Sequence, residues 1–259
     1  MDLELKDKIV VVTGGASGIG EATVRALVAE GAVPLVVDRD EEATLQLKVE
    51  MEAAGHRCEA VIRDLSEEGA CAAVVKEVEG LGGVYGLVNN AGVNDGVGLE
   101  GGTPEAFLDS IRTNLVHYFE LTQRLLPALK GSPGAIVNVS SKVALTGQGG
   151  TSGYAASKGG ILALTREWAV DLLPYGIRVN AVIPSEVMTP SYEIWLQSFP
   201  NPEEKLAAIQ DRIPLGQRMT RPEEIAAAVL FLLSPRSSHT TGQHLVVDGG
   251  YVHLDRSLG

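Results

Sequence analysis

The sequence of 259 residues is poor in the residue types that build disulfide frameworks and metal sites. It contains only two cysteines, Cys58 and Cys71, has no CxxC pair, and its five histidines do not occur at metal-ligand spacing. Two isolated cysteines predict free thiols in a reducing compartment. We therefore expect neither a disulfide nor a metal ion.

Basic charge and long apolar runs are also scarce. Lys and Arg number 21 against 33 Asp and Glu, which gives a formal net charge of -12. Nucleic acids and anionic membranes attract basic surfaces, so neither is expected as a partner. No apolar run approaches the ~20 residues of a membrane span, and the start MDLELKDKIVVV lacks a signal-peptide pattern. These absences predict a soluble, cytoplasmic protein.

Short β-branched runs, in contrast, alternate with helical patterns along the whole chain. Seven of them predict strands: KIVVVTG (8–14), VPLVVD (33–38), CEAVIRD (58–64), YGLVNNAG (85–92), GAIVNVSS (134–141), GIRVNAVIP (176–184) and HLVVDGG (244–250). Nearly continuous apolar runs are typical of strands covered on both faces. The alternation predicts an α/β fold, a doubly wound parallel seven-stranded sheet of Rossmann type. Without a linker or repeat, residues 1–259 are expected to form a single domain.

One segment interrupts the alternation. About 35 residues, from 185 to about 222, follow the sixth strand and include five prolines and Trp195. Open α/β sheets bind ligands beyond the carboxyl ends of their strands, where this insertion begins. We expect segment 185–222 to be a substrate lid. A surface loop without a binding role is the alternative.

The motif TGGASGIG (13–20) follows the first strand and begins a helix. Its glycines Gly14, Gly18 and Gly20 have GxxxGxG spacing, which differs from the common GxGxxG but serves the same purpose. Small residues allow the backbone to turn tightly and to approach a pyrophosphate at the helix N-terminus. The motif predicts a dinucleotide site, and its position after the first strand makes the prediction more specific.

The end of the second strand bears on the choice of dinucleotide. Asp38 lies 18 residues after Gly20, where a carboxylate accepts hydrogen bonds from ribose hydroxyls and repels a 2′-phosphate. Asp38 therefore favours NAD. Arg39 follows it directly and is able to accommodate a phosphate, so NADP stays possible; a solvated acid at the strand end is the other interpretation of Asp38.

A hydroxyl-rich stretch, SSKVALTGQGGTSGYAASK (140–158), ends with Tyr154 and Lys158 one helical turn apart. An ammonium group close to a phenol favours the phenolate and lowers its pKa, which predicts a general base or acid. Ser141, at the end of the fifth strand, is a candidate to hold a substrate oxygen beside the phenol. Taken alone, YxxxK is also compatible with an ordinary exposed pair of side chains on a helix.

From about Lys6 to Tyr251 the sequence resembles the short-chain dehydrogenase/reductase family. The motifs TGGASGIG, NNAG (89–92), SS before YAASK, and RVNAVIP occur in the family's order and spacing. The resemblance implies hydride transfer between a nicotinamide and a CH–OH group by a catalytic tetrad. The tetrad implied by the resemblance consists of Asn114, Ser141, Tyr154 and Lys158. In it, Asn114 supports a relay water and Lys158 binds the ribose.

The resemblance also extends the set of expected cofactor contacts to the loops after other strands. The full predicted set is Gly14, Ser17, Gly18, Ile19, Gly20, Asp38, Arg39, Asp64, Leu65, Asn89, Gly92, Tyr154, Lys158, Val187 and Thr189. Because relatives are mostly tetramers or dimers, we expect a homotetramer or homodimer. The C-terminal tail, 251–259, is a candidate for contact with the site of a neighbouring subunit.

Polar side chains are expected around the substrate. Glu186 stands where relatives are often apolar, and a carboxylate beside a nicotinamide is costly to desolvate unless it is paired or hydrogen-bonded. The predicted substrate contacts are Asn94, Asp95, Ser141, Lys142, Gln148, Tyr154, Glu186 and Trp195. Such groups suit a sugar or polyol, which is recognised by hydrogen bonds to its hydroxyls. Alternatively, Lys142 and Asp95 are solvated charges or pair with each other.

The sequence around the Tyr154 motif and near the C-terminus resembles that of the bacterial L-fucose dehydrogenases of this family. That resemblance implies oxidation of the anomeric hydroxyl of an aldose, such as L-fucose, to its lactone. A reductase of a 3-oxoacyl thioester or a steroid is the alternative enzyme, and a non-catalytic dinucleotide sensor is the alternative outside enzymology.

Overall fold

A computed structural model describes residues 2–132 and 134–254 of the chain. The predicted contact of the tail with a neighbouring subunit falls partly on residues 255–259, which lie outside the described residues.

Seven strands form one parallel sheet. They are β1 (Ile9–Thr13), β2 (Val33–Asp38), β3 (Glu59–Ile62), β4 (Gly86–Asn89), β5 (Ala135–Val139), β6 (Arg178–Pro184) and β7 (His244–Val247). Their order across the sheet is β3-β2-β1-β4-β5-β6-β7, and every neighbouring pair is parallel. The predicted seven-stranded Rossmann-type fold is confirmed. Most strands are shorter than the predicted segments, because the glycine and polar residues at their carboxyl ends turn away into loops.

Helices connect the strands. They are α1 (Gly18–Ala29), α2 (Glu41–Ala53), α3 (Ala70–Glu79), α4 (Pro104–Ile111), α5 (His117–Gly131), α6 (Ser152–Asp171), α7 (Pro190–Leu196), α8 (Pro202–Gln210) and α9 (Pro222–Leu233). A π-helical turn, Arg112–Val116, joins α4 to α5, and a 3-10 turn, Lys142–Ala144, follows β5. No helix in the described ranges combines the length and apolarity that a bilayer span requires.

Two apolar cores lie on opposite faces of the sheet, because successive strand residues point to opposite sides. Val10 and Val12 of β1 join a cluster with residues of α1, α2 and α9, whereas Val11 joins a cluster with α3, α5 and α6. All three valines are fully buried. Both faces of the central strands are therefore apolar, which explains the continuous valine and isoleucine runs in the sequence.

The two cysteines are free, as predicted, and lie in different cores. Burial raises the pKa of Cys58 to about 11 and that of Cys71 to about 12. Both thiols are therefore protonated near neutral pH, and neither has the thiolate character of a nucleophile.

The direction of the chain across the sheet reverses between β1 and β4. The chain runs outward from β1 to β2 and β3, and then returns to place β4 on the other side of β1. The loops after β1 and β4 therefore diverge and leave a crevice at the carboxyl ends of the strands. The glycine turn follows β1, and the NNAG segment begins at the end of β4.

Segment 185–222 contains α7 and α8 and returns to the strand ends through a single parallel bridge between Val187 and Thr220. The Met188 N–H donates to the Thr220 carbonyl at 3.0 Å, and the Thr220 N–H donates to the Glu186 carbonyl at 2.9 Å. These bonds hold both ends of the segment beside β6. Its function as a lid stays a prediction.

Arg178, at the start of β6, caps the carboxyl end of α9. Its guanidinium donates to the carbonyls of Leu232 (2.6 Å), Leu233 (2.9 Å) and Ser234 (3.0 Å) and to the Ser237 hydroxyl (2.7 Å). These are the carbonyls that a helix end leaves without partners, and a cation at this end also complements the helix dipole. One side chain thus joins β6 to the last turn of α9.

We expect Arg178→Met to lower the free energy of unfolding by about 2–3 kcal/mol, because it leaves these buried carbonyls with only the Tyr85 and Ser237 hydroxyls as side-chain donors. Urea unfolding at pH 7.5 measures the loss. Arg112→Met is the matched control: Arg112 is exposed and its ion-pair partner is Asp109, so the expected loss is below about 0.5 kcal/mol. Equal losses would contradict the capping role of Arg178.

Candidate active site

The glycine turn between β1 and α1 has the shape of a cradle for an anionic group. Gly14 (φ +61°) and Gly18 (φ +54°) occupy the left-handed region, and a Cβ on Gly20 would overlap the carbonyl oxygen of Gly14. Ser17 is exposed at the N-cap of α1, where its hydroxyl makes no capping bond to the described residues. The first turn of α1 thus fits a pyrophosphate, and Ile19 packs beneath it against the core.

The turn is held to the end of β4 by Thr13 and Asn90. The Thr13 hydroxyl accepts from the N–H groups of Asn90 (2.9 Å) and Ala91 (3.1 Å). The Asn90 side-chain amide donates to the carbonyls of Thr13 and Gly14, both at 3.0 Å. Neither residue was among the predicted site residues. The NN doublet of NNAG was the available signal, but only the strand pairing shows which asparagine faces the turn.

The side chain of Asn89, which was predicted to contact the cofactor, points into the core and away from the glycine turn, and a cofactor contact of this residue stays a prediction. It is fully buried, and its amide donates to Thr122 Oγ1 of α5 (3.1 Å) and to Asn138 Oδ1 of β5 (3.0 Å). Asn138 in turn donates to Thr165 of α6 at 3.0 Å. Because neighbouring residues in a strand point to opposite sides, Asn89 joins β4 to α5 and α6 while Asn90 supports the turn.

Asp38 lies against the glycine turn, as its spacing predicted. Its carboxylate accepts from the Ala16 N–H at 3.0 Å and from the Asp40 N–H at 3.1 Å. The first bond fixes the strand-end carboxylate to the loop that would cradle a pyrophosphate. A ribose next to this turn would meet a carboxylate already oriented by backbone donors.

A cleft of about 610 Å³ lies beyond Asp38 and is lined by Arg39, Asp40, Ile62, Arg63, Asp64 and Glu67. Burial raises the pKa of Asp64, but hydrogen bonds from Ser66 and Arg39 lower it more, so the net shift is downward. Arg39 pairs with Asp64 at 3.2 Å. Arg63 was not predicted to lie here, and the side chain of Leu65 is buried in the core beneath.

Lys158 lies at the centre of the candidate site and is buried. Its Nζ donates to the Val139 carbonyl at 2.9 Å and to the Tyr118 hydroxyl at 3.3 Å, and lies 5.5 Å from the centroid of the Tyr154 ring. Burial lowers the Lys158 pKa to about 7. Tyr118, a fully buried residue of α5, was missed by the sequence analysis because it lies far from the tyrosine motif along the chain.

Asn114 is positioned by the π-helical turn between α4 and α5. Its Oδ1 accepts from the Val93 N–H at 2.7 Å, and its amide donates to the Ser110 carbonyl at 3.0 Å. A Cβ on Gly92 would lie 2.8 Å from Asn114 Oδ1 and 3.5 Å from Lys158 Nζ. A side chain at residue 92 would therefore press on the Asn114 amide, so the glycine lets the loop after β4 approach Asn114 closely. π-Helical turns are frequent at functional sites.

The pKa of Tyr154 differs from our expectation. Removal from water raises it to about 12, a hydrogen bond with Ser141 lowers it, and the charge of Asp95 raises it further. We predicted that Lys158 lowers this pKa, but the Lys158 amine donates to Val139 and Tyr118 and is itself driven toward neutrality by burial. In this structure Tyr154 is therefore a protonated phenol at neutral pH, with a hydroxyl donor beside it.

The predicted substrate residues divide into two groups. Asp95 acts electrostatically on Tyr154, and Asn94 and Gln148 are exposed on the loops after β4 and β5. Ser141 is the N-cap of the 3-10 turn, where its hydroxyl accepts from the Val143 N–H at 3.4 Å. Of these residues, Ser141 and Asp95 act on the Tyr154 phenol.

Lys142 and Glu186 form the second group, and they pair with each other. Their side chains make an ion pair that is about nine-tenths buried, and the Tyr192 hydroxyl donates to Glu186 Oε2 at 2.7 Å. Protein donors thus already satisfy the charge of Glu186, and its contact with a substrate stays a prediction. The alternative pairing of Lys142 with Asp95 is not the one observed.

The beginning of segment 185–222 lies against the glycine turn. Thr189 is the N-cap of α7 and accepts from the Tyr192 N–H at 3.3 Å. Its methyl group lies 3.1 Å from the place of a Cβ on Gly18, and the preceding Val187 is buried. Trp195 of α7 is 43% exposed and makes an edge-on contact with the Tyr192 ring, at 5.0 Å between centroids.

A glycine cradle at the reversal point of a doubly wound sheet, a strand-end acid bound to that cradle, and a Tyr–Lys–Ser–Asn group in which the lysine and the asparagine are buried define a nicotinamide-dinucleotide-dependent oxidoreductase. The sequence model described as Enoyl-(Acyl carrier protein) reductase matches residues 14–252. This chain belongs to the short-chain dehydrogenase/reductase family, and it is an NAD(P)-dependent oxidoreductase.

Individual relatives agree with the family but differ in their named substrates. The chain is 38% identical over 252 residues to the 3-oxoacyl-[acyl-carrier-protein] reductase FabG of Thermotoga maritima, covering 96% of this chain and 100% of that protein. It is 35% identical over 245 residues to the L-fucose dehydrogenase of Bos taurus, covering 94% and 88%. The crystal structure of the dehydrogenase Cj0485 superposes with a TM-score of 0.94 at 45% identity, covering 100% and 99%.

Gly20→Ala tests the cradle. We expect dinucleotide affinity to fall by ~100-fold or more, because the added Cβ meets backbone atoms of Gly14 and forces the turn open. Calorimetric titration with NAD and NADP measures the loss. Gly159→Ala is the control, since a Cβ there meets nothing within 4 Å. Unchanged affinity in Gly20→Ala would show that the turn does not hold the dinucleotide.

The buried amine predicts a pH dependence of stability. The Lys158 pKa falls from an ordinary 10.5 to about 7 in the folded protein, so the unfolded chain binds more protons between these values. Stability should therefore rise by about 2 kcal/mol from pH 7 to pH 9 through this group, and be lost again as the pH falls. Urea unfolding of the wild type and of Lys158→Met at both pH values isolates the contribution of Lys158. The contributions of the other titrating groups cancel when the change in the variant is subtracted from the change in the wild type. An equal change in stability between pH 7 and pH 9 in both proteins would contradict the lowered pKa of Lys158.

Proposed function

We propose that this oxidoreductase oxidises the anomeric hydroxyl of an aldose of the L-fucose type to its lactone, with NAD as the acceptor. The observation that carries the proposal is the polar environment of the Tyr154 phenol, which has Ser141 and the charge of Asp95 beside it. An apolar substrate such as a steroid would desolvate that carboxylate without offering it a donor. The similarity to L-fucose dehydrogenase supports the same choice.

The residues present fit the proposed cofactor. The Gly14–Gly20 turn and Ser17 would hold the pyrophosphate, Asp38 the adenosine ribose, the cleft beside Asp64 the adenine, and Val187 and Thr189 the nicotinamide carboxamide. When bound, the nicotinamide supplies the hydride acceptor. NAD is favoured because a 2′-phosphate would meet the Asp38 carboxylate; Arg39 and Arg63 in the adjoining cleft make NADP the alternative.

In the proposed mechanism the side chains of this protein accept and transfer the proton of the substrate hydroxyl. Ser141 orients the substrate oxygen, and Tyr154 Oη takes the proton of the substrate hydroxyl, to which its phenolate form is suited. Because the Tyr154 pKa lies at about 12, the phenol is protonated at neutral pH and is also the proton donor for carbonyl reduction. Oxidation should therefore accelerate with rising pH. Asn114 and Lys158 would support the removal of the proton.

A second enzymatic function has its own support. The similarity to FabG covers nearly the whole chain and favours reduction of a 3-oxoacyl thioester. The finding that Lys142 and Glu186 satisfy each other also removes one argument for a polyhydroxylated ligand. The earlier alternative of a non-catalytic sensor is not proposed, because the family is one of dehydrogenases and reductases and such a sensor has no need of the four tetrad side chains.

The expected assembly and location belong to the same proposal. Phe107 and Leu108 of α4 and Phe119 of α5 are exposed apolar side chains on neighbouring helices, as in a surface that another subunit covers. They support a homotetramer or homodimer. We propose that it acts in the cytoplasm.

The decisive test is reduced-nicotinamide absorbance with NAD or NADP and a substrate panel. The panel holds L-fucose, D-arabinose, L-galactose, simple polyols, a hydroxysteroid and, for reduction, a 3-oxoacyl thioester. We expect turnover of the L-fucose group with NAD, increasing from pH 7 to pH 10, and a loss of roughly 10³-fold in Tyr154→Phe.

Tyr175→Phe, which changes an exposed phenol away from the site, should behave as the wild type. Turnover of the thioester alone would show that the aldose proposal is wrong and would leave the family unaffected.

A further inference from the structure

Four chain segments meet at the buried pair of Lys142 and Glu186. Lys142 is the residue after Ser141, and Glu186 is the second residue after β6. Tyr192 comes from α7, and the ring of Tyr251, near the C-terminus, lies with its centroid 4.4 Å from Lys142 Nζ. The pair therefore joins the 3-10 turn after Ser141 to the beginning of segment 185–222, which lies against the glycine turn.

The electrostatics of this cluster indicate that its charged side chains form one interacting unit and are not two separate substrate-binding groups. Both charged side chains are about nine-tenths buried, so each depends on the other and on nearby polar groups for the solvation it has lost. The second oxygen of Glu186 accepts the Tyr192 phenol at 2.7 Å. Burial raises the pKa of Tyr192 to about 12, so its hydroxyl stays protonated and donates across the physiological range.

Tyr192 also connects the pair to two further aromatic side chains, Trp195 on α7 and Phe199 just after it. Its ring contacts Trp195 edge-on, and Trp195 contacts Phe199 in the same manner with centroids 4.8 Å apart. Beneath them, Thr189 begins α7 against Gly18. The Tyr192–Glu186 bond is thus the polar link between α7 and the turn after Ser141.

We propose that Tyr192 is a positioning and specificity-determining residue, which acts through Glu186 and Lys142 to fix α7 beside the Ser141 turn and so shapes the space in front of Tyr154. The side chain does not touch the reacting atoms. Tyr192 limits which substrates fit, and the Lys142–Glu186 ion pair holds its hydroxyl in place. The inference rests on the oxidoreductase site of the proposed function, but not on the choice of an aldose.

Tyr192→Phe is the first variant, because it removes the hydroxyl and keeps the ring that contacts Trp195. We expect the substrate KM to rise about 10-fold with a smaller change in kcat, while the Kd for the dinucleotide changes less than twofold. Tyr175→Phe is the matched control. Equal losses of substrate and dinucleotide binding would indicate a general structural role and overturn the proposal.

Glu186→Gln and the double variant test whether the cluster acts as a unit. If Tyr192 acts through Glu186, the double variant should be no worse than the more damaged single variant. Effects on KM that multiply would show two independent contacts and overturn the inference. Glu193→Gln, an exposed glutamate on the same helix, is the control and should leave KM unchanged.

Tryptophan fluorescence supplies a readout that needs no turnover. The chain has two tryptophans, of which Trp168 is buried, so acrylamide chiefly quenches Trp195 on α7. Tyr192→Phe and Glu186→Gln should both increase quenching by loosening α7. Unchanged quenching and unchanged KM would overturn the inference. A panel that reveals another substrate would overturn only the aldose proposal, since the same variants are then measured on that substrate.

Discussion

The burial of one amine at the carboxyl ends of the central strands is the constraint on which the candidate site depends. Lys158 Nζ has lost its water and is held by the Val139 carbonyl and the Tyr118 hydroxyl. A Cβ on Gly92 would lie only 2.8 Å from Asn114 Oδ1, so glycine allows the loop after β4 to approach the amine and the amide closely. The π-helical turn brings Asn114 to the same place. Strand ends, two helices and a glycine loop thus converge on a single buried group.

The charges of the site are paired in a way that separates its two ends. At the dinucleotide end, Asp38 and Asp64 accept hydrogen bonds from backbone and from Ser66 and Arg39, and both remain close to solvent. At the other end, beside Ser141, Lys142 and Glu186 are about nine-tenths buried and pair with each other. A buried ion pair is weak evidence for stability, because the desolvation of its two charges offsets much of their attraction. The structure uses it where the Ser141 turn meets α7.

The fold was predictable to a large extent, because its information is local. Nearly continuous apolar runs are found in most of the seven strands, and the glycine spacing located the turn after β1. The strand order also placed Asp38 beside that turn, as the spacing of 18 residues from Gly20 indicated. Local pattern is less informative where one residue decides the direction of a side chain. Asn89 and Asn90 are neighbours with the same chemistry, yet pleating directs one into the core and the other to the glycine turn.

The sequence by itself determined the class of the protein: the parallel α/β sheet, the dinucleotide cradle, and a tyrosine and a lysine one helical turn apart. These features follow from periodicity and short spacings, which are properties of a few consecutive residues. Only the tertiary structure decided the electrostatics. The pKa of Tyr154, the pairing of Glu186 with Lys142 and Tyr192, and the contact of Tyr118 with Lys158 depend on burial and on residues distant in the chain. Desolvation is a property of the packed molecule, and no local pattern encodes it.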